Sequence, residues 1–191
     1  MKKQKTKAFQ RQVAKDYLAL AQKYRKNGRF RKAENALRVA LNTDPRYAEA
    51  YHELGLVYRK LGACKEAIDA YRKALQLKPK SATSALNLGI CHLYLENEDA
   101  ALQFFKKAIQ NDSRYAYAYF NLGSLYFDQG KIELAINHLK RAIDLDPAYL
   151  APYEICAMAY LILGDKSQAD ALYKKADKFK KKARLQYAIG E

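Results

Sequence analysis

The sequence predicts an all-α fold, a row of stacked helix pairs, and three observations predict it. Pro45, Pro79 and Pro147 share one register, with Ser113 where the fourth falls, so the step is 34 residues each time. A fixed period in this range is the mark of stacked units. Residues 116–149 carry a compact array, Tyr119, Leu122, Gly123, Tyr126, Gly130, Ala135, Leu139, Ala142 and Pro147, that returns along the chain. Apolar residues recur at three- and four-residue spacing, as in Phe9, Val13, Tyr17, Leu20 and Tyr24, which places them on one helical stripe. The expected domain is elongated, its core a seam between neighbouring units. The units run 14–47, 48–81, 82–115, 116–149 and 150–183, with a basic extension at 1–13 and the end of a capping helix at 184–191.

In chain order, the first helix starts near Thr6, before the first repeat, and Gly28 ends it. The second buries Ala33, Leu37, Ala40 and Leu41 and stops at Asp44-Pro45, where proline opposes continuation. The next unit repeats this with Tyr51, Leu54, Gly55, Tyr58, Gly62, Ala67, Tyr71, Ala74 and Pro79. The third is the loosest: it has Ala85, Leu88, Gly89 and His92, then Glu96 in place of the turn glycine and Ser113 in place of the proline. Its acidic cluster, Glu96, Glu98 and Asp99, reads as a cap on the following helix, because negative charge suits a helix N-terminus. The fifth reads Tyr153, Cys156, Ala157, Tyr160, Gly164, Ala169, Tyr173 and Ala176. Lys181 fills the proline register there, so Leu172, Ala176, Phe179, Ala183 and Tyr187 continue one long helix to about Ile189.

The net charge of +15 sits at the ends: residues 1–32 hold twelve Lys/Arg against Asp16, and 174–184 hold seven against Asp177. Such ends suit an anionic partner such as nucleic acid or a membrane surface, or serve only solubility. Met1 to Gln12 is basic and polar with no apolar stretch behind it, and no run reaches the roughly 18 apolar residues of a membrane span. Cys64, Cys91 and Cys156 are far apart and lack metal spacing. The expected location is cytoplasmic.

Tyr, Leu, Gly and Tyr on a first helix, then Ala, an aromatic or Leu, Ala and Pro on a second, resembles the tetratricopeptide repeat (TPR) family over residues 14–183. Position eight is small in every unit, Ala21, Gly55, Gly89, Gly123 and Ala157, and so is position twenty, Ala33, Ala67, Ala101, Ala135 and Ala169. The resemblance implies a right-handed superhelix, an α-solenoid of antiparallel helix pairs with extended terminal helices, whose first helices line a concave groove. It also implies that the groove holds an extended peptide or a partner helix. Groove positions then fall at His52, Leu56 and Arg59; Leu86, Asn87, Ile90 and Tyr94; Tyr117, Phe120, Asn121, Ser124 and Phe127; and Glu154, Met158 and Leu161. From Leu86 onward the set is strongly apolar, which points to apolar anchors on a protein partner or to packing on adjacent helices. Asn87 and Asn121 each offer an amide to the backbone of a ligand.

The pattern by which TPR co-chaperones hold a terminal carboxylate is not met: one register offers Leu18, Gln22, Glu53, Thr83 and Asn87, the other His52, Leu56, Asn87, Tyr117 and Asn121. His52, His92 and His138 fall at unrelated repeat positions, and no phosphate loop, nucleophile elbow or carboxylate pair appears. The expected function is a non-catalytic adaptor or scaffold, without cofactor, metal or small-molecule substrate. The alternatives are an anion-surface binder working through the terminal helices and a self-assembling scaffold, a homo-oligomer joined through those helices.

Overall fold

The structure, a computed structural model, describes the backbone of residues 2–189 and the side chains of residues 8–181. Among the described residues it is helical with no strand. The helices are α1 (Lys2–Lys26), α2 (Phe30–Thr43), α3 (Ala48–Lys60), α4 (Cys64–Leu77), α5 (Ala82–Tyr94), α6 (Glu98–Asn111), α7 (Ala116–Asp128), α8 (Ile132–Leu145), α9 (Ala151–Ile162) and α10 (Lys166–Ile189). They form two compact units, residues 1–104 and 105–191, and the division falls inside α6.

Two devices end the second helix of a repeat. The residue before each of Pro45, Pro79 and Pro147 leaves the helical region, with φ −134° at Asp44, −135° at Lys78 and −139° at Asp146, because the proline ring disfavours it there. Three of the turns also carry an aspartate whose Oδ1 accepts the backbone N–H two residues on: Asp44 from Arg46, Asp112 from Arg114 and Asp146 from Ala148. This local bond competes with the helix ladder. It explains why α6 stops on schedule although Ser113 has replaced proline.

At the other turn, between paired helices, the chain needs a left-handed residue. Gly62 supplies it with φ +76°, its N–H bonding Arg59 O at 3.2 Å while Ala63 N–H reaches Tyr58 O at 2.9 Å. Glu96 adopts φ +58°, its N–H bonding Leu93 O at 2.9 Å while Asn97 N–H reaches His92 O at 2.9 Å, so it carries the strain that glycine avoids. The cap of α6 is Asn97, whose Oδ1 accepts Ala100 N–H at 3.1 Å. Glu98 and Asp99 lie in the first turn, where the expected negative charge sits, and the expectation is corrected only for Glu96, which belongs to the turn between the helices.

In unit 1, α1 packs on α2 and α3, and α3 packs on α4 and α5. Tyr71, Leu37, Val57, Leu88 and Cys91 are completely buried. Gly55 admits this packing, since a Cβ there would stand 2.5 Å from the Tyr71 ring. In unit 2, α7 packs on α8 and α9, and α9 on α8 and α10, around Leu122, Leu125, Leu139, Tyr153 and Cys156. Tyr153 also donates its hydroxyl to Pro147 O at 3.1 Å.

The end helices depart from the expected stripes. On α1 the buried residues are Ala14, Leu18 and Ala21, whereas Phe9 is 70% exposed and Tyr17 and Leu20 are over a third exposed. A terminal helix has neighbours on one side only, and of its aromatic residues Tyr24 packs on the core while Phe9 and Tyr17 stay largely in water. Tyr173 on α10 is exposed for the same reason, although its repeat equivalents Tyr71, Phe105 and Leu139 are fully buried. Ala169, Leu172 and Ala176 are buried as the stripe requires, and Ala183 and Tyr187 lie outside the residues whose side chains are described.

Candidate functional site

The first helices of unit 1 present a face that is largely occupied with itself. Glu53 is buried and accepts from Arg25 Nε at 2.8 Å and Gln22 Nε2 at 3.2 Å. His52 Nδ1 lies 2.9 Å from Ser84 Oγ, and Ser84 in turn accepts from Ser81. Burial holds the His52 imidazole below the ordinary histidine range, so this ring is neutral at pH 7. Lys78 reaches Glu49 across the mouth at 3.3 Å. Together Gln22, Glu49, His52, Glu53, Lys78 and Ser84 border a small polar cavity of about 160 Å³.

Further along this unit Leu56, Arg59 and Ile90 are half-buried and Tyr94 is 67% exposed. Arg59 lies beside Tyr71, and its Nε and the Tyr71 hydroxyl are both buried. Two expectations change here. Leu86 is 4% exposed and belongs to the core. Asn87 spends an amide hydrogen on Thr83 O of its own helix at 2.9 Å, as Asn121 does on Tyr117 O at 2.7 Å. Both amides are therefore partly satisfied before any ligand arrives.

In unit 2 the face of α7 and α9 is apolar. Tyr117 is 47% exposed, Met158 41% and Leu161 47%. Phe120 and Phe127 are half-buried, and Phe120 meets Tyr149 edge-on at 5.0 Å, so this ring is part of the packing as well as of the face. Ser124 has its hydroxyl buried without a partner, and Glu154 is exposed, 3.6 Å from Lys180.

Sequence reasoning missed Tyr115 and Tyr149. They stand in the turns, 6.0 and 4.6 Å from the Tyr117 ring. The signal was an aspartate followed three residues later by tyrosine, at Asp44–Tyr47, Asp112–Tyr115 and Asp146–Tyr149 in one register, of which the last two stand beside Tyr117.

The other histidines are packing groups. His92 stacks on Phe104 at 5.4 Å with a buried Nε2 that lacks a partner, and His138 lies against Tyr126 at 5.4 Å. Burial lowers both rings, with help from Arg72 and Lys106 respectively. Among the described residues no three His, Cys, Asp or Glu side chains converge as a metal site requires, and no helix is long and apolar enough to cross a membrane.

A family model, the cilia and flagella-associated protein 70 middle TPR-like domain, matches residues 17–181. The chain belongs to this TPR-like family. Its all-α fold of the TPR solenoid class is shared with solved structures. MamA is 28% identical, with 86% of this chain and 96% of that chain covered and a TM-score of 0.76. PilW, described as a widely conserved type IV pilus biogenesis factor, is 27% identical, covers 89% and 79%, and gives 0.78. The Pseudomonas aeruginosa pilF structure, 23% identical over 89% of this chain and 78% of that one, shares the fold at 0.83. A search of curated proteins finds no match. The TPR-like assignment accounts for the packing residues, and the apolar face of α7 and α9 is what it leaves over.

Proposed function

We propose that this TPR-like chain is a non-catalytic scaffold that holds a partner protein against the α7–α9 face of unit 2. The observation that carries the reading is the exposure of Tyr117, Met158 and Leu161 on neighbouring first helices whose core positions are already filled. Apolar side chains grouped in this way mark a protein contact more often than an ordinary surface. The three free cysteines suit the reducing conditions of the cytosol, where we place the scaffold.

Affinity capture from the source cells, followed by calorimetry with the purified captured protein, tests this. Met158→Asp with Leu161→Asp lowers affinity by at least about tenfold, close to 1.4 kcal/mol, while circular dichroism and Tm stay unchanged. Unchanged affinity, or unfolding of the variant, overturns the reading. Phe120→Ala is a poor probe, since its ring also supports Tyr149.

A second reading rests on the exposed cations of the end helices, Arg11, Lys15 and Lys23 on α1 and Lys174, Lys175 and Lys178 on α10. An anionic polymer or membrane bound there is released steeply by salt. Binding that ignores salt removes this reading.

A further inference from the structure

The face of unit 2 is aromatic, and its own charges are mostly of one sign. Asp112 and Asp146 are held in their turns, each by the N–H two residues on, and each accepts at its backbone carbonyl from the tyrosine three residues on, Tyr115 at 3.2 Å and Tyr149 at 3.1 Å. The two carboxylates and the two tyrosines are thereby fixed as pairs. Tyr117 joins the pairs, 6.0 Å from Tyr115 and 4.6 Å from Tyr149 at an interplanar angle of 35°. Asp128 ends α7 and Glu154 opens α9, so α7, α9 and the turns before them carry four carboxylates and, as cations, only Arg114 in the first turn. The turns and first helices of unit 2 are thus acidic, although Lys180 of α10 stands 3.6 Å from Glu154 and the whole chain is +15.

The rings feel that charge. Burial first, then Tyr117 and the Asp146 carboxylate push the Tyr149 hydroxyl up to about 12, and burial, Tyr117 and Asp112 raise Tyr115. An apolar group laid on these rings would strip water from the carboxylates without replacing it. An anion would be repelled. A guanidinium fits both features, because its plane stacks on an aromatic face and its edge pairs with a carboxylate.

We propose that the Tyr115, Tyr117 and Tyr149 cluster, flanked by Asp112 and Asp146, receives an arginine side chain of the partner. The proposal rests on the docking reading given above, and names the polar anchor that accompanies the apolar contacts of Met158 and Leu161.

The test titrates the isotope-labelled full chain with acetyl-Ala-Ala-Arg-Ala-Ala-amide and with the same peptide carrying citrulline, a neutral isostere. The arginine peptide shifts the Tyr117 and Tyr149 resonances saturably and binds at least about fivefold more tightly than the citrulline peptide, with the difference shrinking as salt rises. Tyr117→Ala weakens the response, and so does Asp146→Asn, which keeps the turn acceptor and removes only the charge. Equal shifts with citrulline, no shift with either peptide, or a stronger response to an acidic peptide overturns the proposal. With the captured partner the two readings separate: loss of binding in Met158→Asp but not in Tyr117→Ala or Asp146→Asn leaves the docking face standing and removes the arginine.

Discussion

The first helices of units 1 and 2 are built to one repeat pattern, yet they spend their outward residues differently. On α1, α3 and α5 most of those residues are tied up, Arg25 and Gln22 to Glu53, His52 to Ser84 and Glu49 to Lys78 after α4, with Tyr94 at the end of α5 left exposed. On α7 and α9 they are Tyr117, Met158 and Leu161, large apolar groups left partly in water. The contrast teaches that a repeat unit fixes only the side chains that touch the next helix. The remaining positions are free to become internal struts in one unit and a docking surface in another.

The sharpest way to break this comparison is to cut one ion pair in each unit. Arg25→Ala leaves a buried carboxylate with Gln22 alone, and we expect a loss of about 2 kcal/mol in urea unfolding, discounted for the partial exposure of Arg25. Glu154→Gln in unit 2 removes an exposed pair and should change stability by no more than about 0.5 kcal/mol. Equal losses would show that the two faces are not organised differently.

Next in size is the close approach of paired helices. Gly55→Ala drives a methyl against the rigid, fully buried Tyr71 ring, a net cost of about 1–2 kcal/mol after the gain in helix propensity. Gly123→Ala meets the buried Leu139 Cγ at 2.8 Å and the Ala135 backbone oxygen at 3.2 Å, slightly longer approaches, so the cost in unit 2 is somewhat smaller. The same unfolding measurement ranks the two.

Glu96→Gly works in the opposite direction. It relieves the left-handed conformation of a non-glycine residue and should stabilise unit 1 by about 1 kcal/mol, read as a rise in Tm.

The smallest effect is one of pH, and it runs through both units. His52, His92 and His138 are all depressed below the ordinary value of 6.5, so the folded chain binds fewer protons than the unfolded chain below that pH. Stability is therefore complete above about 6.5 and falls as pH drops through the three folded values. His92→Tyr, which restores the aromatic residue of the other repeats and removes a buried unpaired nitrogen, should flatten the slope between neutral and mildly acidic pH. An unchanged slope would mean that this ring contributes nothing to it.

The packing of the array was legible in the residues themselves. Ala33, Ala67, Ala101, Ala135 and Ala169 are all completely buried, where small side chains were expected to let helices meet. Of the face, Tyr117, Met158 and Leu161 stand exposed where the repeat register put them, while Leu86 sank into the core and the two asparagines turned back on their own helices. Tyr115 and Tyr149 escaped notice because they lie outside the helical period, in turns whose geometry comes from an aspartate.

What the sequence determined by itself was the repeat, the helix limits within it and the small residues at each crossing, since these follow from local backbone preferences and a fixed spacing, whereas α1 starts at Lys2 and not near Thr6. Only the tertiary structure decided which stripe of a helix is covered. On α1 it is Ala14, Leu18 and Ala21 and not Phe9, Tyr17 and Leu20. Periodicity sets the angle between side chains around a helix, but burial depends on which neighbours are present and on which sides they lie.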